Sequence, residues 1–315
     1  ANLRQFGYAG VNVAKADAEI DVDSSDRRRS RITVDAETVV VAGLTFDTAR
    51  AGLDGLISDH EFTFAFSSPG DRARRILEFR GGVSAQGALD LERRTWQGDL
   101  TQVDIVFPDG DARLIQPATL TLGADLQRVA PLCLRTDDDS RLCVEGEYQP
   151  AAPAWRFIYS AQDWPLKRIL RTLLGWREFD GRLQASGWAE QSPGQPWIGG
   201  STVLLHEPTF DMPRNKFRSE RIQLGSSRLD LFAEPTTMRA ELDIQVDETT
   251  SVAGQALVDR RDDLLASPVR GRLQGKSAAI KVLPLLVPEI DRAAGSLEGE
   301  VTLAGTLGEP QFNGS

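Results

Sequence analysis

The sequence contains very little histidine, cysteine and methionine, which many catalytic and metal centres use. It has two histidines, two cysteines and two methionines in 315 residues. It contains no Gly-x-Ser-x-Gly turn, no phosphate-binding glycine loop and no His-Glu-x-x-His pattern. His60 and His206 are remote from each other and from the cysteines, at no spacing typical of metal ligands. We therefore expect that the chain is not an enzyme and holds no metal or cofactor.

Long apolar runs and uncompensated basic patches are also missing. No 18-residue apolar window could form a membrane-spanning helix, and no signal peptide stands at Ala1. The formal net charge is −10. The one dense basic run, at residues 27–31, lies between Asp21, Asp23, Asp26 and Asp35, so most of its charge is compensated. These features argue against a nucleic-acid partner.

What the sequence does contain is apolar and polar residues in alternation, with glycine between the runs. Near the end, Leu297, Val301 and Leu303 alternate with polar residues, and glycines stand at 295, 299, 305, 308 and 314. This period of two is typical of a strand with one apolar and one wet face. Because the chain has no initiator Met and stops within this repeat at Ser315, we expect a piece of a longer repetitive β protein.

Similar runs recur about every ten to fifteen residues, which predicts about eighteen strands and an all-β fold. The uneven strand lengths do not fit the rigid repeat of a parallel β-helix. We therefore predict an elongated, curled, solenoid-like β-sheet, antiparallel or mixed, whose apolar face turns inward to form a U-shaped or taco-shaped groove. Two segments are expected, residues 1–154 and residues 155–315.

Two stretches break the strand pattern. Residues 165–175 carry apolar residues at helical spacing, with Pro165 suited to a first turn and Gly175 to a C-terminal cap. They predict a short amphipathic helix. Residues 278–290 are apolar but contain Pro284 and Pro288, which predicts a broken or one-turn helix there.

The two cysteines flank a turn-rich segment, Thr136-Asp-Asp-Asp-Ser140. Cys133 and Cys143 could therefore face each other across a hairpin and form a disulfide, which indicates an oxidising compartment such as the periplasm. Two buried free thiols are the alternative.

The second half of the sequence resembles a known family. Phe179-Asp-Gly-Arg-Leu-Gln-Ala-Ser-Gly187 and the glycine-punctuated run from Gly295 to Gly314 resemble the translocation and assembly module TamB, in the wider AsmA-like group. The closing Gly-Thr-Leu-x-x-Pro-x-x-x-Gly phrase is the most distinctive part. The resemblance covers roughly residues 155–315.

The resemblance implies a periplasmic protein with a continuous apolar groove, held at the inner membrane by an N-terminal anchor absent from this sequence. It also implies bridge-type transport of phospholipid, with phospholipid acyl chains as partners. A TamA-like outer-membrane assembly partner would bind through a region outside the sequence given.

Thirteen apolar residues on alternating strands are the predicted groove lining. They are Phe62, Phe64, Phe66, Val103, Ile105, Phe107, Leu229, Leu231, Leu242, Ile244, Val246, Val301 and Leu303. Packing into a closed core is the alternative for any single one of them.

Three functions therefore stay open. The first is a lipid conduit. The second is a scaffold or chaperone that pairs its sheet edge with strands of outer-membrane proteins. The third is a secreted β-solenoid enzyme or carbohydrate-binding module.

Overall fold

The computed structural model of the chain describes residues 2–8, 11–41, 44–70, 78–107, 110–167, 179–215, 218–278 and 295–314. The chain divides into two compact units. The described part of unit 1 lies within residues 1–155, and the described part of unit 2 begins at Arg156. The strand ladders described in both units are antiparallel, which confirms the all-β fold class.

Unit 1 contains eleven of the described strands, each paired with strands close to it in sequence. They are β1 (Asn2–Tyr8), β2 (Val11–Asp21), β3 (Ser30–Val41), β4 (Leu44–Leu56), β5 (Asp59–Ser68), β6 (Phe79–Asp90), β7 (Thr95–Phe107), β8 (Gly110–Leu114), β9 (Ala118–Leu122), β10 (Gln127–Thr136) and β11 (Arg141–Gln149).

The ten remaining described strands belong to unit 2, except that Ala154 and Trp155 at the start of the first one lie in unit 1. They are β12 (Ala154–Pro165), β13 (Phe179–Gln191), β14 (Ile198–Asn215), β15 (Arg218–Gln223), β16 (Ser227–Ala233), β17 (Thr237–Asp247), β18 (Thr250–Asp259), β19 (Val269–Ser277), β20 (Leu297–Gly305) and β21 (Pro310–Gly314). The 21 described strands exceed the predicted eighteen by three.

Both units contain a long strand whose partner is broken into two. In unit 1, β7 pairs with β8 through residues 104–107 and with β9 through residues 96–100. In unit 2, β14 pairs with β16 through residues 199–205 and with β15 through residues 209–215. Several other strands next to each other in sequence pair as simple hairpins, such as β4 with β5 and β17 with β18. Their pairing follows from the short turns between them.

The alternation of the sequence is reproduced as two different faces. In β5, Phe62, Phe64 and Phe66 are half-buried, whereas Thr63 and Ala65 between them are exposed. The same period of two runs through β17, where Leu242 and Ile244 are half-buried and their neighbours are exposed. Since side chains along a strand point to opposite faces in turn, one face of each sheet is apolar and the other is polar.

The predicted helices fall mainly outside the described residues. Of the segment 165–175, Pro165 ends strand β12 instead of opening a helix, and Leu166 and Lys167 take helical conformation. The rest of that segment lies outside the described residues. The same holds for the broken helix predicted at 278–290, of which only Ala278 is described. None of the helical structure in the described part of the chain is long and apolar enough to cross a membrane.

The cysteine pair forms a disulfide, as predicted. Cys133 on β10 and Cys143 on β11 stand directly opposite each other in the ladder, and their sulfur atoms are bonded. The flanking pairs, Leu132 with Val144 and Leu134 with Leu142, alternate with the cysteines and therefore point to the other face. The disulfide thus lies on the face of the hairpin opposite these apolar pairs.

Candidate functional site

The apolar face of unit 1 is built from residues that stand opposite one another on successive strands. One row across β3 to β7 consists of Val34, Ala51, Phe64, Val83 and Val103. The next row, across β3 to β9, consists of Ile32, Leu53, Phe62, Ala85, Leu100 and Ala118. Because directly opposed residues in a ladder share a face, these rows form one surface.

The apolar face of unit 2 is built in the same way. Its longest row, across β13 to β20, consists of Ala185, Val203, Leu229, Leu242, Gly254, Leu273 and Val301. The neighbouring row is Ser201, Leu231, Ala240, Ala256, Gly271 and Leu303. This face contains more glycine, alanine and serine than the face of unit 1.

No residue in these four rows carries a charge, whereas cross-strand ion pairs in the same ladders lie on the polar faces. These pairs are Lys15–Glu37, Arg50–Asp35, Arg31–Asp54, Arg272–Glu300 and Lys276–Glu298. The two faces of each unit are therefore sharply different in chemistry. The charged side chains of the polar face are hydrated. The rows of the apolar face contain no charged side chain that water could hydrate.

Among the described residues, the apolar faces are not sealed by a closed core. Leu231, Leu273 and Val301 are 40%, 37% and 37% exposed, and the three phenylalanines of β5 are only half-buried. The largest side chains that are fully buried in the described part of the chain are those of Ser140 and Ser267. A sandwich or filled barrel would fully bury large aliphatic and aromatic side chains instead.

Two glycines on the apolar faces stand very close to a neighbouring strand. A Cβ added to Gly87 would lie 2.5 Å from the backbone oxygen of a residue on the next strand, and one added to Gly187 would lie 2.7 Å from such an oxygen. At Gly82 and Gly200 on the polar faces the corresponding distances are 3.7 Å and 3.8 Å. A side chain at Gly87 or Gly187 would therefore clash with the backbone of the next strand.

A phenylalanine cluster lies at one end of the apolar face of unit 1. Phe46, Phe66 and Phe79 contact one another with ring centroids 5.7–6.0 Å apart. Phe64 packs on Phe66 at 5.6 Å, and Phe107 packs on Phe79 at 6.1 Å. Edge-on and tilted ring pairs at these distances add to the stabilisation from burial alone. The cluster thus gives this end of the face a continuous aromatic surface.

The structure places the thirteen predicted lining residues on the two apolar faces, with one exception. Phe62, Phe64, Phe66, Val103, Ile105 and Phe107 lie on the face of unit 1. Leu229, Leu231, Leu242, Ile244, Val301 and Leu303 lie on the face of unit 2. Val246 stands in a bulge between Gln245 and Asp247 and has no opposite residue in the ladder to β18.

Sequence reasoning missed Phe46 and Phe79, which complete the aromatic cluster, and Trp96, which lies on the same face. Phe46 stands at the same period of two as Thr48 and Arg50, so alternation along β4 would have assigned it to the polar face. Phe79 opens a strand next to glycines, and Trp96 follows a turn, so neither belongs to a long alternating run. At Val39–Val41 three valines follow one another, and Thr38 directly before them has a φ of 52°, which interrupts the alternation.

The polar features of the sequence form local structure. Asp23 accepts hydrogen bonds from the backbone of Ser25 and Arg28, which shapes the basic run into a turn. Hydrogen bonds from Arg29 and Arg31 hold the pKa of the Asp54 carboxyl below its usual range. The basic run is thus compensated by its neighbours, as predicted. In the described ranges, no three His, Cys, Asp or Glu side chains come together as a possible metal site.

These observations define a class of protein: an antiparallel β protein whose described strands carry, in each unit, uncharged rows of apolar residues that are partly exposed. The family model of the TamB N-terminal domain matches residues 1–315. The chain therefore belongs to the TamB family, whose members are cell-envelope proteins of translocation and assembly, and membership extends to the first half of the sequence. No curated protein and no solved structure matches the chain.

Proposed function

We propose that the apolar faces of the two units are segments of a path for phospholipid acyl chains between the inner and outer membranes. The observation that carries the proposal is the uncharged character of the register rows, combined with the partial exposure of their large apolar side chains. Exposed apolar surface of this extent is costly in water unless something apolar covers it. An acyl chain has the right chemistry and can lie along the rows.

The energetics of lipid transfer favour such a surface. An acyl chain that leaves a bilayer loses about 0.8 kcal/mol of burial for each CH₂ exposed to water. A tail of about sixteen carbons therefore faces a barrier of more than ~10 kcal/mol. A row of Leu, Val, Ala and Gly removes most of that barrier, and its chemical uniformity avoids deep traps. The charged headgroup stays in water at the open side of the face. Transport of this kind needs no catalytic residue.

This function sets the surroundings of the chain. It would work in the periplasm, where the Cys133–Cys143 disulfide is stable. The inner-membrane anchor would lie in another part of the protein. So would the region that binds an outer-membrane assembly partner. Pairing of a sheet edge with strands of outer-membrane proteins is the competing function, and the experiment below separates the two.

The test places one charge on each face of the same strand. Ile244→Glu puts a carboxylate on the apolar face of unit 2, beside Val252 and Ser227. Gln245→Glu, the matched control, puts the same carboxylate at the next residue, where the side chain is exposed on the polar face. The purified 315-residue chain is incubated with vesicles that contain a phosphatidylethanolamine bearing a diazirine in its acyl chain. Cross-links are then mapped by mass spectrometry.

We expect cross-links on rows of the apolar faces in the wild-type chain and in Gln245→Glu, and their loss around β17 in Ile244→Glu. Circular dichroism checks that Ile244→Glu remains folded. Cross-links restricted to the polar faces, or equal labelling of both variants, would refute the lipid path. Absence of lipid labelling, together with cross-links from β1 or β21 to outer-membrane barrels, would favour edge pairing instead.

A further inference from the structure

An aromatic side chain on the apolar face of unit 1 spans three strands. The Trp96 ring, on β7, lies over Gly87 on β6, where an added Cβ would come within 2.6 Å of its Cζ2 atom. Its Nε1–H group donates a hydrogen bond of 2.8 Å to Nε2 of His60 on β5. His60 is the residue directly opposite Gly87 in the ladder, and it is only 4% exposed. The indole therefore crosses the middle strand and is fastened on its far side.

The histidine is itself fixed in one orientation. Its Nδ1 atom lies 3.0 Å from the backbone oxygen of Leu56 and 3.2 Å from that of Ile57. Both partners are acceptors, so Nδ1 carries the proton and Nε2 is left to accept from Trp96. The neutral imidazole thus satisfies both contacts.

Unit 2 contains the same arrangement, made from different residues. The Tyr159 ring, on β12, lies over Gly187 on β13, where an added Cβ would come within 2.7 Å of its Cε1 atom. Its hydroxyl is hydrogen-bonded to the Oγ of Ser201 on β14. Ser201 is the residue directly opposite Gly187 in the ladder. Gly187 also closes the sequence phrase that resembles the TamB family, and its position under the ring gives one physical reason for a glycine there.

We call each arrangement a strap: an amphipathic aromatic ring on one strand, a glycine beneath it on the next, and a polar partner opposite that glycine on the third. The strap of unit 1 is Trp96–Gly87–His60, and that of unit 2 is Tyr159–Gly187–Ser201. The two share no residue types except glycine, yet they have the same geometry on the same kind of face. Both cross glycines at which an added Cβ would clash with the ring and with the backbone of the next strand.

We propose that the two straps are positioning elements of the acyl-chain path and that the flat faces of Trp96 and Tyr159 contact the chain. This inference rests on the proposed function. Each ring is held by a hydrogen bond from its N–H or O–H group and lies against the sheet. Its flat apolar face therefore points toward the acyl-chain path. In unit 2 this surface is extended by the exposed ring of Phe157, which stacks on Tyr159 with centroids 6.2 Å apart.

The glycine is necessary because any side chain would lift the ring. At Gly187 the added Cβ would meet both the Tyr159 ring and the backbone oxygen of Gly200 at 2.7 Å. Real Cβ atoms essentially never come so close, so the ring would have to rise from the floor. A raised or released ring stands in the path rather than beneath it. The glycine of each strap therefore allows the aromatic ring to lie flat against the apolar face of the sheet.

The first experiment asks whether the strap of unit 1 exists in solution, without lipid. The indole Nε1–H resonance of Trp96 is assigned in a ¹H–¹⁵N spectrum as the signal that disappears in Trp96→Phe. His60→Gln keeps an acceptor near the position of Nε2, and His60→Leu removes it. We expect the resonance to shift in His60→Leu and to stay close to the wild-type position in His60→Gln. An unchanged position in His60→Leu would overturn the inference whatever the lipid result.

The second experiment measures the acyl-chain path with the same diazirine-labelled lipid. Trp96→Phe, His60→Leu, Tyr159→Phe and Ser201→Ala should each lower labelling of their own unit by about two- to tenfold, the range expected for loss of one hydrogen bond. The double variant Trp96→Phe/His60→Leu should be no worse than either single one, since both break the same contact. His60→Gln, which keeps a hydrogen-bond acceptor, should show the same labelling of unit 1 as the wild-type chain.

The outcomes separate the inference from the function on which it rests. No labelling of the apolar faces in the wild-type chain would refute the proposed function and the contact role of the straps together. Wild-type labelling in Trp96→Phe and in Tyr159→Phe would refute the inference alone and leave the lipid path standing. Additive losses in Trp96→Phe/His60→Leu would show that the two residues act separately, which would also overturn the strap.

Discussion

A charge in the middle of the apolar face of unit 1 should block acyl-chain binding while leaving the sheet folded. Phe64 lies at the centre of the row Val34, Ala51, Phe64, Val83 and Val103, and it packs on Phe66. Phe64→Glu replaces this ring with a carboxylate.

The matched control is Thr63→Glu. Thr63 is the preceding residue of the same strand and is exposed on the polar face. It introduces the same charge at the same depth of the sheet, one residue away and on the other side. Any effect of net charge or of β-propensity is therefore shared by the two variants.

The expected magnitudes follow from burial and strand spacing. Full burial of a phenylalanine side chain stabilises a fold by up to ~3 kcal/mol, so loss of a half-buried ring should lower stability by about 1–2 kcal/mol. An extended acyl chain places about four CH₂ groups over one strand spacing of ~4.8 Å. At about 0.8 kcal/mol for each CH₂, loss of contact over one strand weakens binding by ~3 kcal/mol. That is about a hundredfold in affinity.

The assay is a titration of the purified chain with a fluorescent fatty acid, followed by chemical unfolding of the same samples. Phe64→Glu should bind about a hundredfold more weakly in unit 1, with a modest loss of stability, and Thr63→Glu should match the wild-type chain. If Phe64→Glu binds normally, the row does not carry acyl chains. If both variants lose binding equally, the effect is electrostatic at long range, and the assignment of the faces to different roles fails.

Three further changes test other features of the fold. Replacing Cys133 and Cys143 with alanine removes a cross-link between residues 10 apart in sequence, which should cost about 2.7 kcal/mol in the chain-entropy model; identical unfolding curves with and without the disulfide would contradict this. Hydrogen bonds from Arg228 lower the pKa of the Asp230 carboxyl. The ionised carboxylate therefore stabilises the fold at neutral pH, and this stabilisation is lost as the pH falls below the usual carboxyl pKa of ~4. Acid unfolding of Asp230→Asn should therefore depend less on pH, and an unchanged acid titration would refute the pairing. Gly87→Ala should destabilise unit 1 by about 1–3 kcal/mol through overpacking, whereas Gly82→Ala on the polar face should not; equal effects would argue against the close approach of the next strand at Gly87.

The sequence carried the fold class because its alternation is local. Phe62, Phe64 and Phe66 differ from their neighbours in hydropathy alone, and that difference is enough to assign them to one face of a strand. The cysteine pair was equally local, since the turn between Cys133 and Cys143 sets the register of its own hairpin. Alternation also located Leu242 and Ile244 on one face without any knowledge of their partners.

What could not be predicted depends on register between strands or on irregular backbone. The straps join residues 36 and 42 positions apart, and no local pattern marks them. Val246 was assigned to the lining by its period, but a bulge removes its partner. Each of these outcomes was decided by neighbours that are distant in sequence.

The segregation of charge onto the polar faces also bears on how the sheets assemble. Where the described part of an apolar face is not covered by a second layer, packing between layers does not fix the register of its strands. A slip of one residue would turn a strand such as β19 over, bringing Arg272, Gln274 and Lys276 to the inner side. It would also separate Arg272 from Glu300 and Lys276 from Glu298. Each of these surface ion pairs is weak by itself. Together they make a hairpin with a slipped register less favourable than the native hairpin as each strand joins the sheet.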